Sequence, residues 1–251
     1  MSDIAAQDSQ YTLCEQCPLR SRKALRDFSA DELAFVKKFK VDELRIGAGN
    51  SFLRQGEHNE HLYTVLNGWA FRYKMLHDGR RQILNYALPA DLVGLQGSLM
   101  DAIEHSVEAL TDVVLCVFPR SKLWDLYTRL PSLAYDLTWI AAREERLIDE
   151  NLVSLGQRTA LERTAYLLFS LFLRAERIGL TKGNRIQFPF TQQHLADSLG
   201  MSLVHTNKTL KRLYSSGALR WASRVFELVD RSALGQIAGL EIGKPQRRPF
   251  I

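Results

Sequence analysis

Five side chains in the C-terminal half, Val204, His205, Lys208, Lys211 and Arg212, follow one another at i, i+1, i+4, i+7 and i+8. A helix would carry all five on one arc. Imidazole and ammonium groups beside a small apolar surface can bond base edges, and clustered cations can neutralise phosphates. A second chemistry belongs to the three cysteines, Cys14, Cys17 and Cys116. Their number cannot make a paired disulfide framework, which points to a reducing compartment.

The elements that must position the basic arc are written in residues 191–213, TQQHLADSLGMSLVHTNKTLKRL. Thr191 is a good N-cap, and Leu195, Ala196 and Leu199 form an apolar stripe at helical spacing. Gly200 supplies the positive φ of a tight turn, and Ser202 caps a second helix. The inward positions of that helix are Leu203, Thr206, Leu210 and Leu213. The spacing predicts a helix-turn-helix whose second helix suits a major groove. A plain helical hairpin with a solvated basic face fits the same residues, so the surrounding chain must separate the two readings.

Charge favours the first. The net +5 is uneven: residues 156–251 hold 15 Lys/Arg against 6 Asp/Glu, a balance of +9, whereas residues 1–155 hold 18 against 22, a balance of −4. Lys244, Arg247 and Arg248 read as a solvated basic tail, and without them the C-terminal half is still +6. Such concentration is what phosphate neutralisation requires. The 251 residues allow two domains, on a prior of about 150 residues each. No apolar stretch approaches the roughly 20 residues of a membrane span. The N-terminal MSDIAAQDSQ lacks the pattern of a secretory signal, so a cytoplasmic location is expected. No nucleophile–base pair or phosphate-binding glycine loop is visible, which speaks against an enzyme.

Upstream, residues 29–39 (SADELAFVKKF) read as a helix with Ser29 and Glu32 in a capping box. Residues 44–118 then alternate in short runs broken by Gly49, Gly56, Gly68, Gly79 and Gly94, with Asp78-Gly79 as a hairpin turn. Many short strands with glycine turns imply an antiparallel barrel or sandwich. From Leu133 the pattern is helical. Leu137, Ala141, Glu144, Ile148, Asn151 and Leu155 make a seam in steps of four and three, flanked by Leu133, Ile140 and Leu147. It reads as a parallel dimer helix whose register Asn151 helps to fix, or as a single helix on its own barrel. Residues 159–177 form an apolar core helix, 186–190 a strand, and 218–221 with 224–229 a small hairpin. A hairpin after a helix-turn-helix is a winged helix, which favours double-stranded DNA as partner.

The order of elements resembles the CRP/FNR family of bacterial transcription regulators. The marks that carry it are QGE at 55–57, VLNGWA at 65–70, ADLVG at 90–94, ALERTA at 160–165 and the helix-turn-helix. The resemblance implies an α+β fold: an N-terminal antiparallel, jelly-roll-like β-roll, a long dimerisation helix and a C-terminal winged helix-turn-helix. The expected segments are a leader with CxxC at 1–28, a cyclic-nucleotide-binding-like sensor domain at 29–131, the dimerisation helix at 132–157, the DNA-binding domain at 158–240 and a basic tail at 241–251. It implies a homodimer on a near-palindromic operator, with RNA polymerase as a protein partner. The rival reading is a metal or small-molecule sensor that acts through protein–protein contacts.

The family's sensors can be compared position by position. Where cyclic-AMP-binding members carry a Gly-Glu pair for the ribose and an Arg-Ser pair for the phosphate, this chain has Gly94-Leu95 and His105-Ser106. Leu95 cannot accept a ribose hydroxyl bond, and neutral His105 lacks an arginine's fork, so cyclic AMP is not expected. Oxygen-sensing members hold a [4Fe–4S] cluster by C-x2-C-x5-C and one later cysteine. Cys14, Cys17 and Cys116 match three of those positions, and Lys23 occupies the fourth. Four readings stay open: a three-cysteine iron–sulfur site, a Cys14–Cys17 redox switch, a zinc site, or thiols with no such role. In the reading helix, Val204, Asn207 and Lys208 stand where the family's Glu-x-x-Ser-Arg arrangement falls. His205, Asn207 and Lys208 are expected to touch bases, Asn207 suiting adenine, while Thr191, Lys211 and Arg212 suit phosphates.

Overall fold

Short strands with glycine turns fold residues 42–119 into two facing sheets. The computed structural model describes residues 11–99, 102–241, 243 and 247–251. After helix α1 (Ala30–Phe39), closed by the Ser29–Glu32 capping box, come β1 (Asp42–Ile46), β2 (Ser51–Leu53), β3 (His61–Asn67), β4 (Ala70–Met75), β5 (Arg81–Ala87) and β6 (Leu92–Val93). Helix α2 (Leu95–Leu99), β7 (Ser106–Ala109) and β8 (Val113–Pro119) complete the roll. The antiparallel sheets run β1-β8-β3-β6 and β2-β7-β4-β5. Val65, Ala70, Val107, Ala109 and Leu115 fill the space between them. Gly68 joins β3 to β4 at φ +87°, and a Cβ there would lie 2.2 Å from the Asp112 carbonyl oxygen, so only glycine fits.

Helices α3 (Leu123–Arg129) and α4 (Pro131–Gly156) follow the roll. The seam on α4 is divided. Leu133, Leu137 and Ile140 are buried against the chain's own roll. Glu144 accepts from Arg72 Nη1 at 3.0 Å and Asn85 Nδ2 at 3.2 Å, and Asn151 Nδ2 donates to the Leu84 carbonyl at 2.6 Å. Both polar seam positions therefore bond within the chain, which corrects the expectation that Asn151 sets a dimer register. Toward its C-terminal end α4 leaves Ile148, Leu152 and the seam residue Leu155 open on one face at i, i+4 and i+7, while Val153 and, near the helix start, Tyr135 are exposed elsewhere.

The C-terminal domain is α5 (Ala160–Arg177), β9 (Arg185–Gln187), α6 (Gln192–Leu199), α7 (Leu203–Ser215), β10 (Leu219–Ala222), β11 (Val225–Leu228) and α8 (Arg231–Ala238), with a β10-β11-β9 sheet. Phe169, Phe172, Phe188 and Phe226 are fully buried in its core. Ser223 and Arg224, both at positive φ, form the two-residue turn of the wing. Of the tail expected to be solvated, Arg247 is exposed, but Arg248 is drawn inward with the two residues that end the segment. Phe250 and Ile251 are buried, Phe250 packs on Phe28 with ring centroids 4.8 Å apart, and the Arg248 amide donates to the Ala24 carbonyl at 2.8 Å. Burial of Phe250 and Ile251 carries Arg248 inward, where Asp91 answers its charge at 3.1 Å, while Lys244 lies outside the described residues.

Candidate nucleic-acid interface

Local chemistry sets the reading helix. The Thr191 hydroxyl oxygen accepts from the His194 amide at 3.2 Å, and Gly200 ends α6 at φ +59°. The Ser202 oxygen then accepts from the His205 amide at 3.2 Å and starts α7. Both hydroxyls cap by accepting, so each O–H proton is left to donate to a phosphate. Thr206, Leu210 and Leu213 are buried as their spacing predicts. Leu203 is exposed instead, because the first helical residue lies before the turn that packs on α6.

The outer arc of α7 stands clear. Val204 is 64% exposed, and His205, Lys208, Lys211 and Arg212 are exposed. The three cations make no ion pair among the described residues. Asn207 departs from its expected place: it is half-buried, and its Oδ1 is buried without a hydrogen-bond partner. The wing lies downstream, with Arg224 exposed at its tip.

The other helix of the pair is fastened to the roll. Arg81 Nε donates to Asp197 Oδ2 at 2.8 Å, Gln82 Nε2 to the Ser198 carbonyl at 3.1 Å, and the Tyr86 and Ser198 hydroxyls lie 2.9 Å apart. None of these contacts was legible beforehand, since each joins residues more than a hundred positions apart.

Behind them, His105 occupies the heart of the roll. Arg72 Nε donates to His105 Nε2 at 3.1 Å, so Nδ1 carries the ring proton and faces Gln96 Oε1 at 3.0 Å. Burial and then the Arg72 charge push the imidazole down to about 3, so it is neutral at pH 7. Arg72 also pairs with Glu144 at 3.0 Å, and Leu95 packs on the apolar core.

The cysteines meet on the other side of the roll. Cys14 and Cys17 pack against the cluster that buries Cys116. Beside them Lys40 Nζ, itself buried, donates to Glu43 Oε1 at 2.6 Å and to the Thr12 carbonyl at 2.7 Å. Burial raises Cys14 and Cys17 and pushes Cys116 up to about 12, so all three are held as thiols at pH 7. Lys23, at the expected fourth position, is exposed. Among the described residues no group of three or more His, Cys, Asp or Glu is placed to hold a metal. This donor set does not fit a cluster or a zinc ion.

Comparison with known proteins agrees with the fold. A cyclic nucleotide-binding domain matches residues 43–129, and a Crp-like helix-turn-helix domain matches residues 162–237. The nitrogen fixation regulation protein FixK of Azorhizobium caulinodans is 31% identical over 179 residues, 71% of each chain. The transcriptional activator protein FnrL of Cereibacter sphaeroides is 27% identical over 209 residues, 82% of this chain and 83% of that protein. The structure of FixK2 from Bradyrhizobium japonicum superposes with a TM-score of 0.71 at 26% identity, covering 81% of this chain and 98% of that one. No helix among the described residues is long and apolar enough to cross a membrane. With its β-roll, long helix and winged helix-turn-helix, this chain belongs to the CRP/FNR family of DNA-binding transcription regulators.

Proposed function

We propose that the protein is a cytoplasmic homodimer that places two copies of α7 in successive major grooves of a near-palindromic operator. The observation that carries this reading is the exposed, unpaired basic arc of Lys208, Lys211 and Arg212 beside Val204 and His205. Val204, His205 and Lys208 read base edges, and Lys211, Arg212, Thr191 and Ser202 bind phosphates. Asn207 reaches adenine only by rotating its half-buried amide outward, which is favoured because its Oδ1 has no partner in the free protein. The open apolar face of α4 at Ile148, Leu152 and Leu155 supplies the dimer contact. RNA polymerase is the protein partner at the promoter.

Residues 29–131 sense a redox, oxygen or other small signal, not cyclic AMP. The support for this is the Arg72–His105–Gln96 chain, which spends the groups that would otherwise face a cyclic phosphate on one another. The test is selection of duplex DNA from a random pool, followed by affinity measured against salt. Enrichment of a two-fold-symmetric site is expected, with log K falling steeply against log salt, by about 0.9 per phosphate contact. No enrichment, or an affinity indifferent to salt, refutes the reading.

A further inference from the structure

A cleft of about 560 Å³ lies between α4, α5 and the C-terminal segment, apart from the reading helix and joined to the His105 network only through Glu144, which Arg143 and Arg72 share. Its lining carries five arginines, Arg143, Arg146, Arg174, Arg177 and Arg248, against three carboxylates, Asp91, Glu150 and Glu241. Glu150 is already engaged by Arg158 at 3.2 Å. Asp91 alone meets three guanidinium groups, from Arg143 at 3.2 Å, Arg174 at 2.8 Å and Arg248 at 3.1 Å. Arg143 also faces Glu144 at 3.6 Å, so the buried guanidinium groups are largely answered and the unanswered positive charge lies at the rim, on Arg146 and Arg177.

Three features narrow the anion that such a rim suits. The Nε of Arg174 is buried without a hydrogen-bond partner, an unused donor in a residue that lines the cleft. Arg143 with Arg146 on α4, and Arg174 with Arg177 on α5, are i, i+3 pairs, so each helix presents two guanidinium groups on one face. Arg146 and Arg177 are exposed at the rim and make no ion pair among the described residues. Half-buried Trp139, one turn before Arg143, adds a flat apolar wall. Guanidinium forks match phosphate oxygens, an indole suits a base, and the volume lies in the range of small-ligand sites.

We propose that this cleft binds a nucleotide bearing two or more phosphates, its phosphates held by Arg143, Arg146, Arg174 and Arg177 and its base against Trp139. Such a ligand bridges α4, which packs on the roll, and α5, which begins the DNA-binding domain. It can therefore bias how the two domains sit, whatever the roll itself senses.

The test titrates ATP, GTP and inorganic pyrophosphate, each without magnesium, into the full chain while tryptophan fluorescence and thermal stability are read. At least one nucleotide should saturate, raise Tm and bind tenfold or more tighter than pyrophosphate. Trp139→Phe should abolish the fluorescence change. The rim variant Arg146→Ala/Arg177→Ala should weaken nucleotide binding tenfold or more while its own Tm stays within about 2 °C of wild type. Its affinity for selected DNA should be unchanged. The proposal is overturned if neither nucleotide saturates, if pyrophosphate binds as tightly, or if the fluorescence change survives Trp139→Phe. It is equally overturned if the rim variant binds nucleotide normally, or loses DNA as Lys211→Ala does, since the arginines would then belong to the DNA surface.

Discussion

Replacing Asp91 with asparagine probes what joins the two halves of the molecule. The carboxylate is buried, and Oδ2 also accepts from the Leu88 amide at 2.8 Å. Through it the roll holds Arg143 of α4, Arg174 of α5 and Arg248 of the tail. Asn keeps the shape but removes the charge, leaving three guanidinium groups facing one another. Breaking a buried ion pair from one side costs about 3–5 kcal/mol. For a chain of this size, at about 2–4 °C per kcal/mol, Tm should fall by about 6–20 °C. Acid provides an independent check. Burial alone would raise the Asp91 carboxyl, but Arg248, Arg143 and Arg174 outweigh it and hold the group well below the usual carboxylate range. A group depressed in the folded state stabilises fully above its unfolded value, about 3.9, and ceases to do so as pH falls toward its folded value. The Tm gap between wild type and Asp91→Asn should thus stay constant from pH 8 to about 5 and narrow below about 4. Circular dichroism melts from pH 3 to 8 decide it. A Tm within about 2 °C of wild type at pH 7, or a gap that does not narrow in acid, refutes the account.

Lys208→Ala should relax selectivity at the base it reads, costing about 1–3 kcal/mol on the selected site alone, whereas Lys211→Ala should weaken all DNA and lower the salt slope by about one. Equal effects of the two variants on both kinds of DNA would contradict the assignment. Leu152→Asp should weaken self-association on the order of 10²–10³-fold, since each protomer loses about 2 kcal/mol of apolar burial; sedimentation velocity reads it, and an intact dimer would move the interface elsewhere. Millimolar cyclic AMP should leave Tm unchanged, and a saturable rise would overturn the reading of Leu95 and His105. Protein purified anaerobically and reconstituted with iron and sulfide should remain colourless, and a broad visible absorbance with bound iron would show that the three thiols do ligate.

What could be read from the sequence was local. Thr191, Gly200 and Ser202 specify the two helices through caps and one left-handed residue, so their bounds followed from residue chemistry alone. Ser29 works the same way, and the Thr159–Glu162 capping box that starts α5 is a further local signal of that kind. Helix α8 carries an equivalent signal, Asp230 accepting from the Ala233 amide and Gly239 at φ +59°. Other features depended on partners far away in sequence. Asn151 and Glu144 fit a dimer seam until the Leu84 carbonyl, Arg72 and Asn85 come beside them. Arg248 looks solvated until Asp91 is seen buried beneath it. The inward turn of Asn207 was also hidden, because helical periodicity places it at the border of the exposed arc, where packing decides.

The buried tail changes the mechanics of the whole molecule. Phe250 and Ile251 pack into the N-terminal domain, so the winged helix is anchored to that domain at both of its ends, through α4 before it and through the tail after it. A domain on a single tether can swivel freely, whereas this one is held at both ends and also across α6, where Asp197 and Ser198 meet Arg81, Gln82 and Tyr86 of the roll. Any reorientation of the winged helix relative to the roll must therefore break the α6 contacts or the Arg248–Asp91 pair, not merely bend a hinge.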